Sequence, residues 1–89
     1  MIYDIRFTKI AMKDVTKIKQ ANLNTKLKKL LNIIAENPYQ NPPPFEKLGG
    51  ELKEYYSRRI NLQHRLVYMV DDIEKQIKVL SVWSHYERI

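Results

Sequence analysis

Three arginines stand in a stretch that otherwise has the pattern of two hydrophobic strands, YYSRRINLQHRLVY, over residues 55–68. If residues 61–63 form the loop between these strands, Arg59 lies directly opposite Arg65. Like charges at such a position destabilise a sheet by up to ~1 kcal/mol. Two guanidinium groups can, however, hold one phosphate through charge-assisted hydrogen bonds. The pair therefore indicates an anion site if the loop has three residues, and a two-residue loop would remove the pairing.

Other side chains could act on a phosphate held in this way. Cleavage of RNA by its own 2′-hydroxyl needs a base for that proton, a cation for the phosphorane and an acid for the leaving 5′-oxygen. Glu46, which follows three stiffening prolines, could be the base, and Arg65, helped by Arg59, the cation. His85 could be the acid because an imidazole has a reference pKa of ~6.5, and Tyr86 could position the phosphate or stack on a base. This chemistry requires no metal or other cofactor.

Taken one at a time, these side chains have simpler interpretations. A histidine close to the C-terminus is usually an exposed side chain without a role, and a loop glutamate is usually only solvated. A lone tyrosine there is a surface aromatic residue. The combination of an acid, a base and an arginine pair is what points to RNA cleavage.

The elements that must position these residues begin with two helices. Thr8 is a suitable N-cap for a helix over about residues 9–20. Apolar residues then follow the spacing of one helical face over residues 23–34. This second helix must end before Pro38, because the residue before a proline is pushed out of the helical region.

Strands are predicted on both sides of the helices. Residues 3–8 alternate between apolar and polar side chains, which is typical of a half-buried strand. Three further strands are predicted within residues 54–60, 64–70 and 75–83. This order predicts a single α+β domain over residues 1–89, in which two helices pack on one face of a twisted antiparallel sheet.

The composition limits the class of protein. There is no cysteine, which excludes a disulfide scaffold and a cysteine-based metal site. No apolar run approaches the ~18 residues of a membrane span, and the N-terminus lacks the apolar stretch of a signal peptide, so the predicted location is the cytoplasm. The net charge is +6, most of it before residue 38. Such a charge suggests a polyanionic partner such as nucleic acid, although lysines that only keep a helical surface soluble give the same excess of positive charge.

The stretch YYSRRINLQHRLVYMV, followed by SHY near the C-terminus, resembles the YoeB/Txe branch of the RelE/ParE toxin superfamily. The family pattern W/Y-S-R-R-I-x-x-x-H-R-L-V-Y is long and specific, and PFEKLGGEL resembles the family's P-E-x-L segment. The resemblance extends over the whole chain in length and in order of elements. It implies a fold similar to that of microbial ribonucleases.

Members of this family are toxins of type II toxin–antitoxin pairs that enter the ribosomal A site and cut the mRNA there. The resemblance therefore implies a ribosome-dependent endoribonuclease whose partners are the 70S ribosome, mRNA and a YefM-like antitoxin, and a homodimer is a further expectation. Carried over by position, the family's functional residues are the general base Glu46, the phosphate-binding Arg59 and Arg65, the general acid His85 and its neighbour Tyr86.

Further residues near this set follow from the same comparison. Arg58 and Lys47 are predicted to bind RNA phosphates, and the basic helices are predicted to face ribosomal RNA. Tyr56 stands where relatives often have tryptophan. The chain also runs on through residues 87–89 beyond the proposed acid.

Two other functions are compatible with this sequence. A ParE-like toxin inhibits gyrase by binding and does not cut RNA, and a basic RNA-binding domain would have no enzymatic activity. A pure binder has no need of an acid and a base together, which argues against the ParE-like alternative. A simple RNA-binding domain leaves the His85-Tyr86 pair unexplained.

Overall fold

The structure is a computed structural model that describes residues 2–82. Its elements in chain order are β1 (Asp4–Phe7), α1 (Lys9–Gln20), α2 (Asn24–Glu36), β2 (Glu46–Lys47), a short 3-10 helix (Gly50–Leu52), β3 (Tyr55–Arg59), β4 (Arg65–Asp71) and β5 (Gln76–Ser81). The predicted α+β class is confirmed, and both helices end within a residue of their predicted limits.

The five strands form one sheet in the order β1-β5-β4-β3-β2. The pairings of β2 with β3, β3 with β4 and β4 with β5 are antiparallel, as expected, but β1 runs parallel to β5. The prediction of a wholly antiparallel sheet is therefore wrong at this edge. Short loops force neighbouring strands to run antiparallel, whereas β1 and β5 are joined by most of the chain, including both helices.

Thr8 fixes the start of α1. Its hydroxyl accepts a hydrogen bond from the backbone N–H of Ala11 (3.1 Å) and donates one to the carbonyl of Leu80 (2.9 Å). The helix is thus capped and tied to the end of β5 by the same side chain. Asp14, which the apolar stripe did not predict to be buried, accepts a bond from the N–H of Val82 (3.3 Å) on the sheet side of α1.

The core lies between the helices and one face of the sheet. The helices contribute Ala11, Ile18, Leu27, Leu30 and Ile34, and the sheet contributes Leu66, Tyr68, Ile77 and Val79. Burial of each large aliphatic side chain contributes ~1.5–3 kcal/mol, so this contact holds the helices on that face. Within residues 2–82, no helix has the length and apolar character needed to cross a bilayer.

Candidate active site

The hairpin of β3 and β4 has the register that the sequence predicted. The side-chain oxygen of Asn61 accepts hydrogen bonds from the N–H groups of Gln63 (2.9 Å) and His64 (2.7 Å), and this closes a loop over residues 61–63. Arg59 consequently stands directly opposite Arg65. The predicted pairing of two arginines is confirmed.

The short strand β2 brings a carboxylate to the same face of the sheet. Glu46 is paired with Ser57. Paired residues point to the same face, as do residues two apart on one strand, so Glu46 and Ser57 share a face with the two arginines. A cleft of about 130 Å³ lies there, lined by Pro43, Pro44, Phe45, Glu46, Ser57, Arg59 and Arg65.

The cleft is lined by three charged side chains, and two of them are exposed. Glu46 and Arg59 are exposed, and neither side chain has a hydrogen bond or an ion pair with any other residue of the described part, 2–82. Arg65 is half-buried. Two guanidinium groups on one side and a carboxylate on the other can bind a phosphate and accept a proton from a hydroxyl beside it.

Lys47 does not line this cleft. It is paired with Tyr56, so it points to the opposite face from Glu46, and it is exposed at the sheet edge. If Lys47 binds RNA as predicted, it does so outside the cleft.

Arg58 lies inside the fold and not at a surface, whereas the sequence predicted that it binds RNA phosphates. It is 1 % exposed, and its guanidinium donates four hydrogen bonds. Three reach the carbonyls of Pro38 (3.1 Å), Gln40 (2.9 Å) and Pro43 (2.6 Å), and the fourth reaches the hydroxyl of Tyr68 (3.0 Å). Strand alternation turns Arg58 away from the face of Arg59, so its charge is used inside the fold.

The segment that Arg58 binds is the one that leads to Glu46. The guanidinium carbon of Arg58 lies 4.7 Å from the ring centre of Phe45, the residue before Glu46. Tyr56 packs edge-to-face on Phe45, with ring centres 5.7 Å apart. The loop over residues 38–45 is therefore held at several points, and the position of Glu46 depends on those contacts.

A second anchor holds the start of this loop. Tyr39 donates a hydrogen bond to Asp72 in the turn between β4 and β5 (2.8 Å), and Tyr3 donates another to the same carboxylate (2.6 Å). The hydrogen bonds from Tyr3 and then Tyr39 lower the pKa of Asp72. Burial, followed by the bond to Asp72, raises the pKa of Tyr39 well above its usual value. Asp72 thus stays ionised and joins three distant segments.

The predicted acid and its neighbour, His85 and Tyr86, lie outside the described residues. Within the described part, no cluster of three or more histidine, aspartate or glutamate side chains is arranged to hold a metal ion. The base and the arginine pair are thus placed together, and the roles of all five predicted residues stay predictions.

Ser57 belongs to the cleft and was missed by the sequence reasoning. Its side chain is 1 % exposed and its hydroxyl has no hydrogen-bond partner. A signal for it was present, because Ser57 precedes Arg59 by two residues and must share its face in a strand. An unpaired hydroxyl at this place can donate to a bound phosphate oxygen.

The fold and the cleft define a class of small bacterial toxins. A chain in the YoeB–YefM complex from Staphylococcus aureus is 40 % identical, with a TM-score of 0.80 over 94 % of this chain and 98 % of that chain. The YoeB dimer from the same organism is 37 % identical, with a TM-score of 0.80 over 97 % and 100 %. The architecture is thus that of a RelE-like toxin of a toxin–antitoxin pair.

The sequence identifies the family within this class. The model of the YoeB-like toxin of bacterial type II toxin–antitoxin systems matches residues 7–86. Toxin YoeB from Synechocystis sp. is 34 % identical over 86 residues, which are 94 % of this chain and 98 % of that protein. The chain belongs to the family of YoeB-like toxins, and the resemblance found in the sequence is confirmed.

Proposed function

We propose that this toxin is a ribosome-dependent endoribonuclease that cuts translated mRNA in the ribosomal A site. The observation that carries the proposal is the convergence of Glu46, Arg59 and Arg65 on one cleft of phosphate size. Glu46 comes from a two-residue edge strand and the arginines from two other strands. Nothing in the packing of the core requires these charges to meet.

The mechanism follows from these positions. Glu46 accepts the proton of the 2′-hydroxyl, whose oxygen attacks the adjacent phosphorus. Arg65, with Arg59, stabilises the negative charge that grows on the phosphorane oxygens. His85 donates a proton to the leaving 5′-oxygen, and Tyr86 positions the phosphate or stacks on a base. The products are a 2′,3′-cyclic phosphate or 3′-phosphate upstream and a 5′-hydroxyl downstream.

The binding partners of the proposal come from the relatives. The S. aureus relative forms a complex with YefM and also a dimer, so we propose a YefM-like antitoxin and a homodimer for this chain. An acidic or amphipathic antitoxin tail would cover the arginine face of the cleft, since a segment that folds on binding can wrap a charged concave site. A toxin that acts on ribosomes and mRNA works in the cytoplasm.

A ParE-like toxin that binds its target without cutting RNA is the competing function, and the same fold can support it. Mapping of RNA 5′ ends after brief expression distinguishes the two. Cuts within translated codons, with 5′-hydroxyl ends, are expected from the proposed enzyme. Equal cutting of untranslated RNA would contradict ribosome dependence, and intact mRNA would favour the binding toxin.

The roles of base and acid can be separated with a modified substrate. Glu46→Ala and His85→Ala should each slow cleavage by roughly 10²–10⁴-fold, with less than additive effects if both act in one step. A 5′-thio linkage at the cut site leaves without a proton, so it should rescue His85→Ala and leave Glu46→Ala slow. Rescue of Glu46→Ala instead would reverse the assignment, and rescue of neither would remove the support for His85 as an acid.

A further inference from the structure

A second depression lies beside the cleft, between α2, the proline segment and the end of β3. We call it the α2 groove, and its volume is about 430 Å³. Lys26 and Lys29 line one side, Pro42 and Pro43 the other, and Arg59 and Ile60 one end. Two apolar residues of α2 complete the floor.

The α2 groove adjoins the cleft. Arg59 and Pro43 line both. The cleft, at about 130 Å³, is smaller than the roughly 300–1,000 Å³ typical of sites for whole ligand molecules, which suits a phosphate better than a whole nucleotide. The α2 groove falls within the range of roughly 300–1,000 Å³ that is typical of sites for molecules of ligand size. A strand whose phosphate occupies the cleft can place a neighbouring nucleotide there.

The chemistry of the α2 groove matches a single-stranded nucleotide. Its lining carries three cationic side chains and no carboxylate, over a floor of aliphatic and proline surfaces. Cations hold the phosphate, and the apolar floor contacts the face of the base. The lining contains no aromatic ring, so this contact discriminates little between bases.

We propose that the α2 groove binds the nucleotide next to the scissile phosphate, with Lys26 and Lys29 on its backbone. This inference rests on the proposed function, because it takes the cleft to hold RNA. Arg59 lines both depressions, so an RNA strand whose scissile phosphate lies in the cleft carries its next nucleotide past the same arginine into the groove.

The helix supplies a matched control. Lys28 is exposed on α2 between the two groove lysines in sequence, but it does not line the groove. Lys26 and Lys29 are three residues apart and share a side of the helix, whereas Lys28 points elsewhere. A change at Lys28 therefore removes one lysine charge from the same helix without touching the proposed site, which matches either groove lysine changed alone.

The test uses a fluorescent RNA oligonucleotide with 2′-O-methyl groups, which cannot be cleaved by 2′-hydroxyl attack. Its affinity should fall about fivefold in Lys26→Ala/Lys29→Ala and less than twofold in Lys28→Ala. The slope of log affinity against log salt should shrink by ~0.7 in the double variant, because the two lysines share the one phosphate of that nucleotide and each neutralised phosphate on a single strand contributes ~0.7. Circular dichroism checks that both variants are folded.

A cross-linking arm locates the nucleotide. A 4-thiouridine beside the central linkage should cross-link to α2 or to Pro42–Pro43, and the yield should drop only in the groove variant. Equal losses in both variants, or a cross-link outside the groove, would overturn the proposal. So would unchanged RNA affinity combined with weaker binding of the antitoxin, which would assign the groove to a peptide. Failure of the proposed function has a different signature, namely wild-type protein that leaves translated mRNA intact.

Discussion

Arg58 and Arg59 are neighbours in the same strand, and the fold uses them in opposite ways. Arg58 points into the molecule, is 1 % exposed and donates four hydrogen bonds. Arg59 points to the other face, is exposed and has no bond to any side chain or carbonyl within residues 2–82. The alternation of a β-strand thus splits one sequence motif into a structural half and a half that faces the cleft, which we call the ligand-facing half after its proposed role.

The difference teaches how the site is built. Arg58 is bound by three backbone carbonyls of the loop before Glu46 and by the hydroxyl of Tyr68 on β4, so most of the dipoles that stabilise its charge belong to that loop. Arg59 faces an arginine across the strand pair, an arrangement that a bound anion would stabilise. Arg58 fixes the segment that carries Glu46, and in the proposed mechanism Arg59 meets the phosphate on which Glu46 acts.

The largest expected effect concerns the ligand-facing half. Arg59→Met should lower the rate of mRNA cleavage by roughly 10²–10³-fold, the range for loss of one group that stabilises a transition-state anion. Its free energy of unfolding should stay within about 0.5 kcal/mol of wild type, because the side chain is exposed and faces a like charge. Cleavage in a translation extract and urea unfolding measure the two quantities.

Arg65 should behave in the same way in the cleavage assay. Arg65→Ala should abolish toxicity while the protein stays folded. Arg65→Lys should also be poor, since an ammonium cannot reproduce the bidentate fork of a guanidinium. A fully toxic Arg65→Ala variant would show that the arginine pair is not part of the active site.

Arg58→Met, the same substitution one residue earlier, should mainly lower stability, whereas Arg59→Met should mainly slow cleavage. Arg58→Met should lower the free energy of unfolding by about 3 kcal/mol, because it leaves buried carbonyls without their donor. Arg58→Lys should not restore stability, since one ammonium cannot reach four acceptors and stack on Phe45. Arg6→Met, an exposed arginine of β1, is the control and should change stability by less than about 0.5 kcal/mol. A loss below about 1 kcal/mol for Arg58→Met would break the comparison.

The contrast also shows what the sequence could predict. The hairpin register and the Arg59–Arg65 pair followed from loop length and strand alternation, which are local. The same alternation separates Arg58 from Arg59, but the sequence could not show what covers each face. The partners of Arg58 are carbonyls of a loop 15 to 20 residues away, and no side-chain pattern marks them. The sequence could not predict that β1 runs parallel to β5, because the two strands are distant in the chain and no local turn sets their relative direction.

A smaller effect is expected at Ser57, which lines the cleft together with Arg59. Ser57→Ala should leave the free energy of unfolding unchanged or raise it by up to about 1 kcal/mol, because it removes a buried hydroxyl without a partner. Cleavage should slow by up to about tenfold if that hydroxyl donates to the phosphate. Ser81→Ala removes the other buried unpaired hydroxyl of the described chain, which does not line the cleft, and should leave cleavage unchanged. Equal slowing in both variants would mean that the effect comes from packing.

The smallest effect is expected at Asp72, which holds the start of the loop that Arg58 binds. Hydrogen bonds from Tyr3 and Tyr39 lower the pKa of Asp72 below 3.8, so the folded state favours the ionised carboxylate. A group with a depressed folded pKa stabilises the fold above its unfolded pKa and loses that contribution as pH falls through the folded value. Asp72→Asn should therefore lower the free energy of unfolding at pH 7, and the difference from wild type should shrink as the pH drops below about 4. Urea unfolding at several pH values measures this, with Glu74→Gln in the same turn as the control. A difference that stays constant down to pH 3 would mean that the ionised carboxylate is not what holds the turn to Tyr3 and Tyr39.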